Sequence, residues 1–202
     1  MQRTLFLAVA AVAVILAGVL FFALRPKATV SLNDAASGAR FVLGPADAKV
    51  TVVDFSNYLC PHCRDHALEV LPVIKKEFVD TGKVRYVFRD FPFAGQDTVI
   101  RASEAAACAA DSNLYLDYHE ALFRSQTQWA NFSGDGLDQY FADVAGQLGM
   151  APATMTECLK SGKKRDGVLA DRDMASKLAL DSTPSFIVNG VKFSGSQGAE
   201  SL

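Results

Sequence analysis

Residues Leu5 to Leu24 are twenty consecutive positions without a charged or polar side chain. As a helix they extend about 30 Å, the depth of a bilayer's hydrocarbon core. The run is longer than the apolar stretch of a cleaved leader, and no small-x-small site follows it. It predicts an uncleaved transmembrane anchor over 5–24 behind a cytoplasmic N-terminus at 1–4; a cleaved signal is the second reading. The amino terminus and Arg3 on one side nearly balance Arg25 and Lys27 on the other, which leaves the orientation open. Residues 25–39 are small and polar and read as a tether to a domain over 40–202.

Within that domain the apolar period changes from segment to segment. "KVTVVDFS" (49–56) is β-branched, apolar and short, and predicts a buried strand. Ala67, Val70, Leu71, Ile74 and Phe78 then recur on one helical face. Pro72 lies inside this stripe and predicts a kink near Leu68 rather than an end. Gly82 closes the helix, and "KVRYVFRDF" (83–91) is a second strand, so a right-handed parallel βαβ unit is expected. Residues 97–178 are Ala-rich and helical in period, broken at Gly134–Gly136, Gly149 and Pro152 into four or five helices. "SFIV" and "VKF" flank Asn189-Gly190, a hairpin signal. The pattern predicts an α/β fold, a sheet domain interrupted by a helical insertion at about 95–178.

Net charge is −2 and no basic cluster exists, so nucleic acid is not an expected partner. About 175 residues outside the anchor suffice for one domain with a real core.

The chemistry concentrates in "NYLCPHCRDH" (57–66). Cys60 falls where the strand's loop meets the helix, and Pro61 suits the first helical position. Cys60 is then the N-cap, its sulfur facing the free N–H groups of His62 and Cys63, an environment that favours a thiolate. The helix terminus alone accounts for roughly one pKa unit; hydrogen bonds and His62 must supply any more. Cys63, one turn inward, is better shielded and suits a resolving role. A rival reading uses Cys60, Cys63 and His66, with His62, as part of a metal site, but no second ligand pair occurs in the chain. His66 otherwise reads as surface, and His119 as a helix-packing residue. Tyr58 and Leu59 either pack the loop or line a groove. Asp54 either is buried beside the motif or lies in water at a strand end.

"VVDFSNYLCPHC" resembles the active-site strand and helix start of the DsbA-type thiol–disulfide oxidoreductases, which have the thioredoxin fold. Asp54, six residues before Cys60, matches the buried acid of thioredoxin-like proteins, and "STPSFIVNG" (182–190) resembles the loop in which Thr183 precedes a cis proline, Pro184. The helical block is similar to that family's insertion, and the membrane-anchored, BdbD-like members carry a second cysteine pair there. Four cysteines allow three pairings. The Cys60–Cys63 pair closes locally, which leaves Cys108 with Cys158; the rival is two unpaired thiols, the usual cytosolic state. An even cysteine count and an anchor together point to an oxidising space, with the N-terminus inside and the domain outside.

The resemblance implies a thioredoxin-like domain that donates disulfides to exported proteins with free thiols. It implies Cys60 as nucleophile and leaving group, Cys63 as resolving thiol, and Thr183 and Pro184 as the substrate-binding border. It also implies a membrane reoxidase of the DsbB or VKOR type. No metal or other cofactor is implied, and a monomer is expected. The family's fold ends with a helix after the hairpin; the nine residues past Phe193 hold at most its beginning. Alternatives are a reductase or isomerase on the same fold, or a metal-binding or chaperone module without redox turnover.

Overall fold

The computed structural model describes residues 31–195 and residue 198. The expected anchor at 5–24 lies outside the described residues; among them no helix is long and apolar enough to cross a membrane.

A five-stranded sheet runs in the order β1-β3-β2-β4-β5, with β1 Phe41–Leu43, β2 Val50–Ser56, β3 Val84–Asp90, β4 Ser185–Val188 and β5 Val191–Ser194. The β2–β3 pair is parallel and the other pairs are antiparallel. The central strand β2 carries five consecutive buried residues, Thr51 to Phe55. That explains its near-continuous apolar run, since helices or chain cover both faces. The hairpin turns through Asn189 and Gly190, both with positive φ (47° and 87°), as a two-residue turn matched to strand twist requires. Gly44 also needs its missing side chain: a Cβ there would strike the Val84 carbonyl of β3.

The short helix α1 (Leu32–Ala36) precedes β1, and α2 (Pro61–Asp65) follows β2. A π-helical turn (His66–Val70), a helical turn α3 (Leu71–Ile74) and a second π turn (Lys75–Val79) continue α2. The expected kink at Pro72 is thus replaced by a widened turn: Leu71 N–H bonds to the His66 carbonyl, five residues back. The face read from the sequence is the packed one, with Ala67, Leu71 and Ile74 buried.

Six helices, not four or five, separate β3 from β4: α4 Asp97–Ala110, α5 Tyr115–Arg124, α6 Gln126–Trp129, α7 Gly134–Gln147, α8 Pro152–Ser161 and α9 Arg165–Lys177. The additional one is the single turn α6. Gly134 and Gly136 begin α7 after the Ser133 cap instead of breaking a helix. A disulfide joins Cys108 of α4 to Cys158 of α8 across 50 residues. In the loop-entropy account, a closure of that length contributes about 4 kcal/mol.

Residues 31–40 differ from a free tether. Ala35 and Ala36 are buried against Val53, Phe55 and Val87 on the sheet. Polar contacts hold them there: Arg89 of β3, 2 % exposed in its side chain, donates to the Ala35 and Ser37 carbonyls and pairs with Asp171 of α9 at 2.6 Å. Arg40 pairs with both Asp90 and Asp171. A run of small residues looks like linker in sequence; here small size is what lets the helix lie close on the sheet.

Breaking this ion cluster from one side should be severe, because it leaves buried charge uncompensated. Asp171→Ala is expected to cost roughly 3–5 kcal/mol. At about 2–4 °C per kcal/mol for a chain of this size, the melting temperature should fall by about 10 °C in a thermal unfolding scan.

Candidate active site

Strand β2 ends at Ser56, and after four intervening residues α2 begins at Pro61 with Cys60 as its N-cap (φ −81°, ψ 122°). The loop between is fixed by its own side chains. Asn57, buried, donates to the Phe91 carbonyl (2.9 Å) and to Gln96 (2.7 Å), and its side-chain oxygen accepts from Leu59 N–H (2.9 Å). Tyr58 is a packing residue: it lies 2 % exposed against Phe123, and its hydroxyl meets His119 Nδ1 at 2.8 Å. His119 is buried in turn, and burial pushes its pKa down to about 3, so it is neutral inside the helical block.

Cys60 and Cys63 are free thiols with opposite surroundings. Cys60 is half-exposed and its Sγ lies 3.2 Å from the Thr183 carbonyl. Its pKa is lowered to about 5, first by the hydrogen bond from the Cys63 thiol, with partial burial opposing, then by the Thr183 side chain and the backbone N–H groups of Cys63 and His62. The helix terminus alone is worth roughly one unit. The larger share therefore comes from directed hydrogen bonds, and the exposed His62 takes part through its backbone N–H. Cys63 is fully buried, and burial above all holds its thiol well above the ordinary range, with the Cys60 bond and the Asp54 charge adding to it. Asn57 N–H reaches its sulfur at 3.5 Å.

Asp54 is 2 % exposed, not solvated at a strand end. Burial raises its pKa, while His66 and the hydrogen bonds from Ser56 and Tyr86 oppose the rise. Its oxygens are satisfied by Ser56 Oγ (2.7 Å) and Tyr86 Oη (2.9 Å). His66, expected at the surface, is buried: its Nε2 lies 2.9 Å from Tyr86 Oη and its ring packs on Phe186. His66 lies one helical turn after the buried Cys63, on the side of the helix that faces the sheet. No group of three or more His, Cys, Asp or Glu able to hold a metal ion occurs among the described residues.

Thr183, whose carbonyl meets Cys60 Sγ, is joined by a cis peptide bond to the buried Pro184 just before β4. A hollow of about 400 Å³ opens beside Cys60, lined by Leu59, Pro61, Phe93, Gln96, Asp181 and Thr183 among others. Phe93, 37 % exposed, is one of the large apolar side chains left at the surface. Cys60, Cys63, Pro61, His62, Asp54, Thr183 and Pro184 therefore gather at one end of the sheet, whereas the Cys108–Cys158 bridge belongs to the helical block. Tyr86, Gln96 and Phe93 carried no sequence signal, as they belong to no motif and reach the site only through packing; His66 is visible in the motif, but as a surface residue or a metal ligand.

A thioredoxin family model matches residues 36–202. A protein-disulfide oxidoreductase of Rickettsia typhi is 32 % identical over 152 residues, 75 % of this chain; the chain spans 55 % of that relative's length. Disulfide bond formation protein D of Bacillus subtilis is 32 % identical over 168 residues, covering 78 % of this chain and 73 % of the relative. Among solved structures, oxidised BdbD from Bacillus subtilis superposes with a TM-score of 0.71 at 27 % identity, covering 87 % of this chain and 92 % of its own. Wolbachia pipientis α-DsbA1, at 24 % identity and a TM-score of 0.71 over 81 % of this chain and 86 % of its own, shares the fold. With its Cys60–Cys63 pair at the head of a helix and its helices inserted in a thioredoxin-like sheet, the chain belongs to the DsbA-like thiol–disulfide oxidoreductase family.

Proposed function

We propose that the protein is an extracytoplasmic thiol–disulfide oxidoreductase that introduces disulfides into exported proteins through Cys60 and Cys63. The observation that carries this reading is the contrast within the pair: a half-exposed thiol held down to about 5 beside a buried thiol held high. A low-pKa thiolate is a good leaving group, so the reduced form of the enzyme is stabilised and the disulfide passes to the substrate. Support for an oxidising compartment comes from the Cys108–Cys158 bridge and from the apolar run at 5–24, which would anchor the domain.

In the reaction, a substrate thiolate attacks Cys60 Sγ of the oxidised pair. The S–S bond breaks toward Cys63, which departs with the electron pair and takes a proton. A second substrate thiolate then attacks the substrate's own sulfur in the mixed disulfide, and Cys60 leaves as thiolate. Two electrons have moved from substrate to enzyme. Cys63 is too buried to persist as a thiolate, so it needs an acid on leaving and a base when it next attacks. Asp54, whose charge is felt at Cys63, fills that role, with Tyr86 and Ser56 holding its carboxyl. Thr183 and Pro184 border the sulfurs and would receive the substrate backbone as an added strand. Return of the electrons to a membrane reoxidase of the DsbB or VKOR type would close the cycle.

Equilibrating the Cys60–Cys63 pair against glutathione tests the direction: an oxidant stays reduced until the buffer is strongly oxidising, and a pair that oxidises readily overturns the reading. In Cys63→Ser, mixed disulfides with cell-envelope proteins should accumulate through Cys60; adducts that depend on Cys63 instead would reverse the roles. Thiolate absorbance of the reduced protein should titrate with a midpoint near 5 and vanish in Cys60→Ser. Because the folded pKa lies below the unfolded value of about 8.5, the reduced form should gain stability as pH rises from about 5 to 8.5. Asp54 has the opposite sign. Its folded pKa is raised, so the wild type loses stability as pH rises from about 4 through the folded value. Asp54→Asn should be more stable than wild type near pH 7 and slower in reoxidation by stopped flow; equal stability and rate would make the carboxyl incidental.

A further inference from the structure

The turn that carries Cys60 is gripped from outside its own sheet domain. Gln126, the first residue of α6 and only 5 % exposed, points its Nε2 at the carbonyl of Tyr58 (2.7 Å) and at the carbonyl of Cys60 (3.2 Å), 68 and 66 residues away in sequence. The Cys60 carbonyl already accepts the first hydrogen bond of the active-site helix, from Arg64 N–H at 3.1 Å. One amide group thus braces the peptide plane that enters Leu59 and the one that leaves Cys60, and shares the acceptor that starts the helix. The brace is itself anchored: Trp129, fully buried at the other end of α6, donates its indole N–H to the Leu122 carbonyl of α5 at 2.8 Å. Phe123 and His119 of α5 meanwhile pack on Tyr58.

We propose that Gln126 is a positioning residue for the Cys60 sulfur, through which the helical insertion sets how well the nucleophile's thiolate is stabilised. A sulfur at an N-cap gains from backbone N–H groups only while its own φ and ψ aim it at them. The carbonyl of Cys60 itself and that of Tyr58, two residues before it, fix that aim, and Gln126 fixes the carbonyls. Its N–H donors also draw electron density away from the carbonyl oxygens beside the sulfur, which lowers the cost of negative charge there. This inference rests on Cys60 being the redox nucleophile proposed above.

The test compares the reduced full chain with Gln126→Met, which keeps length and bulk but removes the donor, and with Gln126→Glu, which replaces it by an acceptor. Thr127→Ala, at the exposed neighbouring position, is the control. Three quantities are read: the midpoint of Cys60 thiolate absorbance, the equilibrium with glutathione, and thermal unfolding. Gln126→Met is expected to raise the midpoint by about one unit, the tenfold that one net hydrogen bond is worth. The glutathione equilibrium should move toward the protein disulfide in step, and Gln126→Glu should exceed both changes. If both variants lose thermal stability while midpoint and equilibrium stay at wild-type values, Gln126 is only a packing residue and the proposal is overturned. An equal shift in Thr127→Ala would overturn it too, by removing its specificity. A wild-type thiol that titrates in the ordinary range would instead defeat the underlying redox reading. The two failures are therefore distinguishable.

Discussion

The negative charge on Cys60 is stabilised by donors that converge from separate parts of the chain, and the surrounding architecture serves that convergence. A helix N-terminus supplies the N–H groups of His62 and Cys63, and the partner thiol supplies the hydrogen bond that contributes most. Neither helps unless the sulfur is held at the end of β2, where the parallel β2–β3 pair brings strand end and helix start together. The Thr183 loop closes from the other side, placed by the antiparallel pairing of β4 with β2. The sheet order β3-β2-β4 thereby puts both sequence motifs, more than a hundred residues apart, at one end of the central strand.

The same packing that buries Cys63 also buries polar groups that a core would ordinarily avoid. Asp54, Ser56, Tyr86 and His66 form a connected set under the active-site helix. Its hydrogen bonds offset part of the desolvation, yet burial still dominates the Asp54 carboxyl. Its charge is felt at the buried Cys63 thiol, and under the proposed redox cycle it is there to serve proton transfer at that thiol.

The helical insertion serves two ends. It forms most of the larger core, in which Trp129, Phe141, Leu122 and Met155 are fully enclosed and the Cys108–Cys158 bridge ties α4 to α8. It also leans over the active-site loop, so the loop is held by the sheet through Asn57 and by the helices through Gln126 and the Tyr58–His119 contact. On the opposite face of the sheet a smaller core is sealed by α1 and the Arg89–Asp171 pair.

What the sequence by itself determined are the features whose physics is local. Pro61 after Cys60 announces a helix start because proline's fixed φ and missing N–H suit that position. Asn189-Gly190 announces the hairpin because positive φ is needed at both positions. The β-branched run of β2 announces a strand. The family resemblance, carried by residues 49–63 and 182–190, rests on these same local signals. Tertiary structure alone decided which polar residues are buried and what satisfies them. Asp54 could be read as a buried acid from the family resemblance, whereas His66 read as surface, and only packing against Tyr86 and Phe186 takes it out of water. Residues 31–36 read as linker because Ala and Ser carry no period; a helix that small is held by long-range contacts to Arg89. Gln126 sits in a polar stretch without pattern, and its partners lie more than sixty residues back. Hydrogen bonds of that range leave no trace in neighbouring residues, because their cost and their benefit are settled only when the chain closes around them.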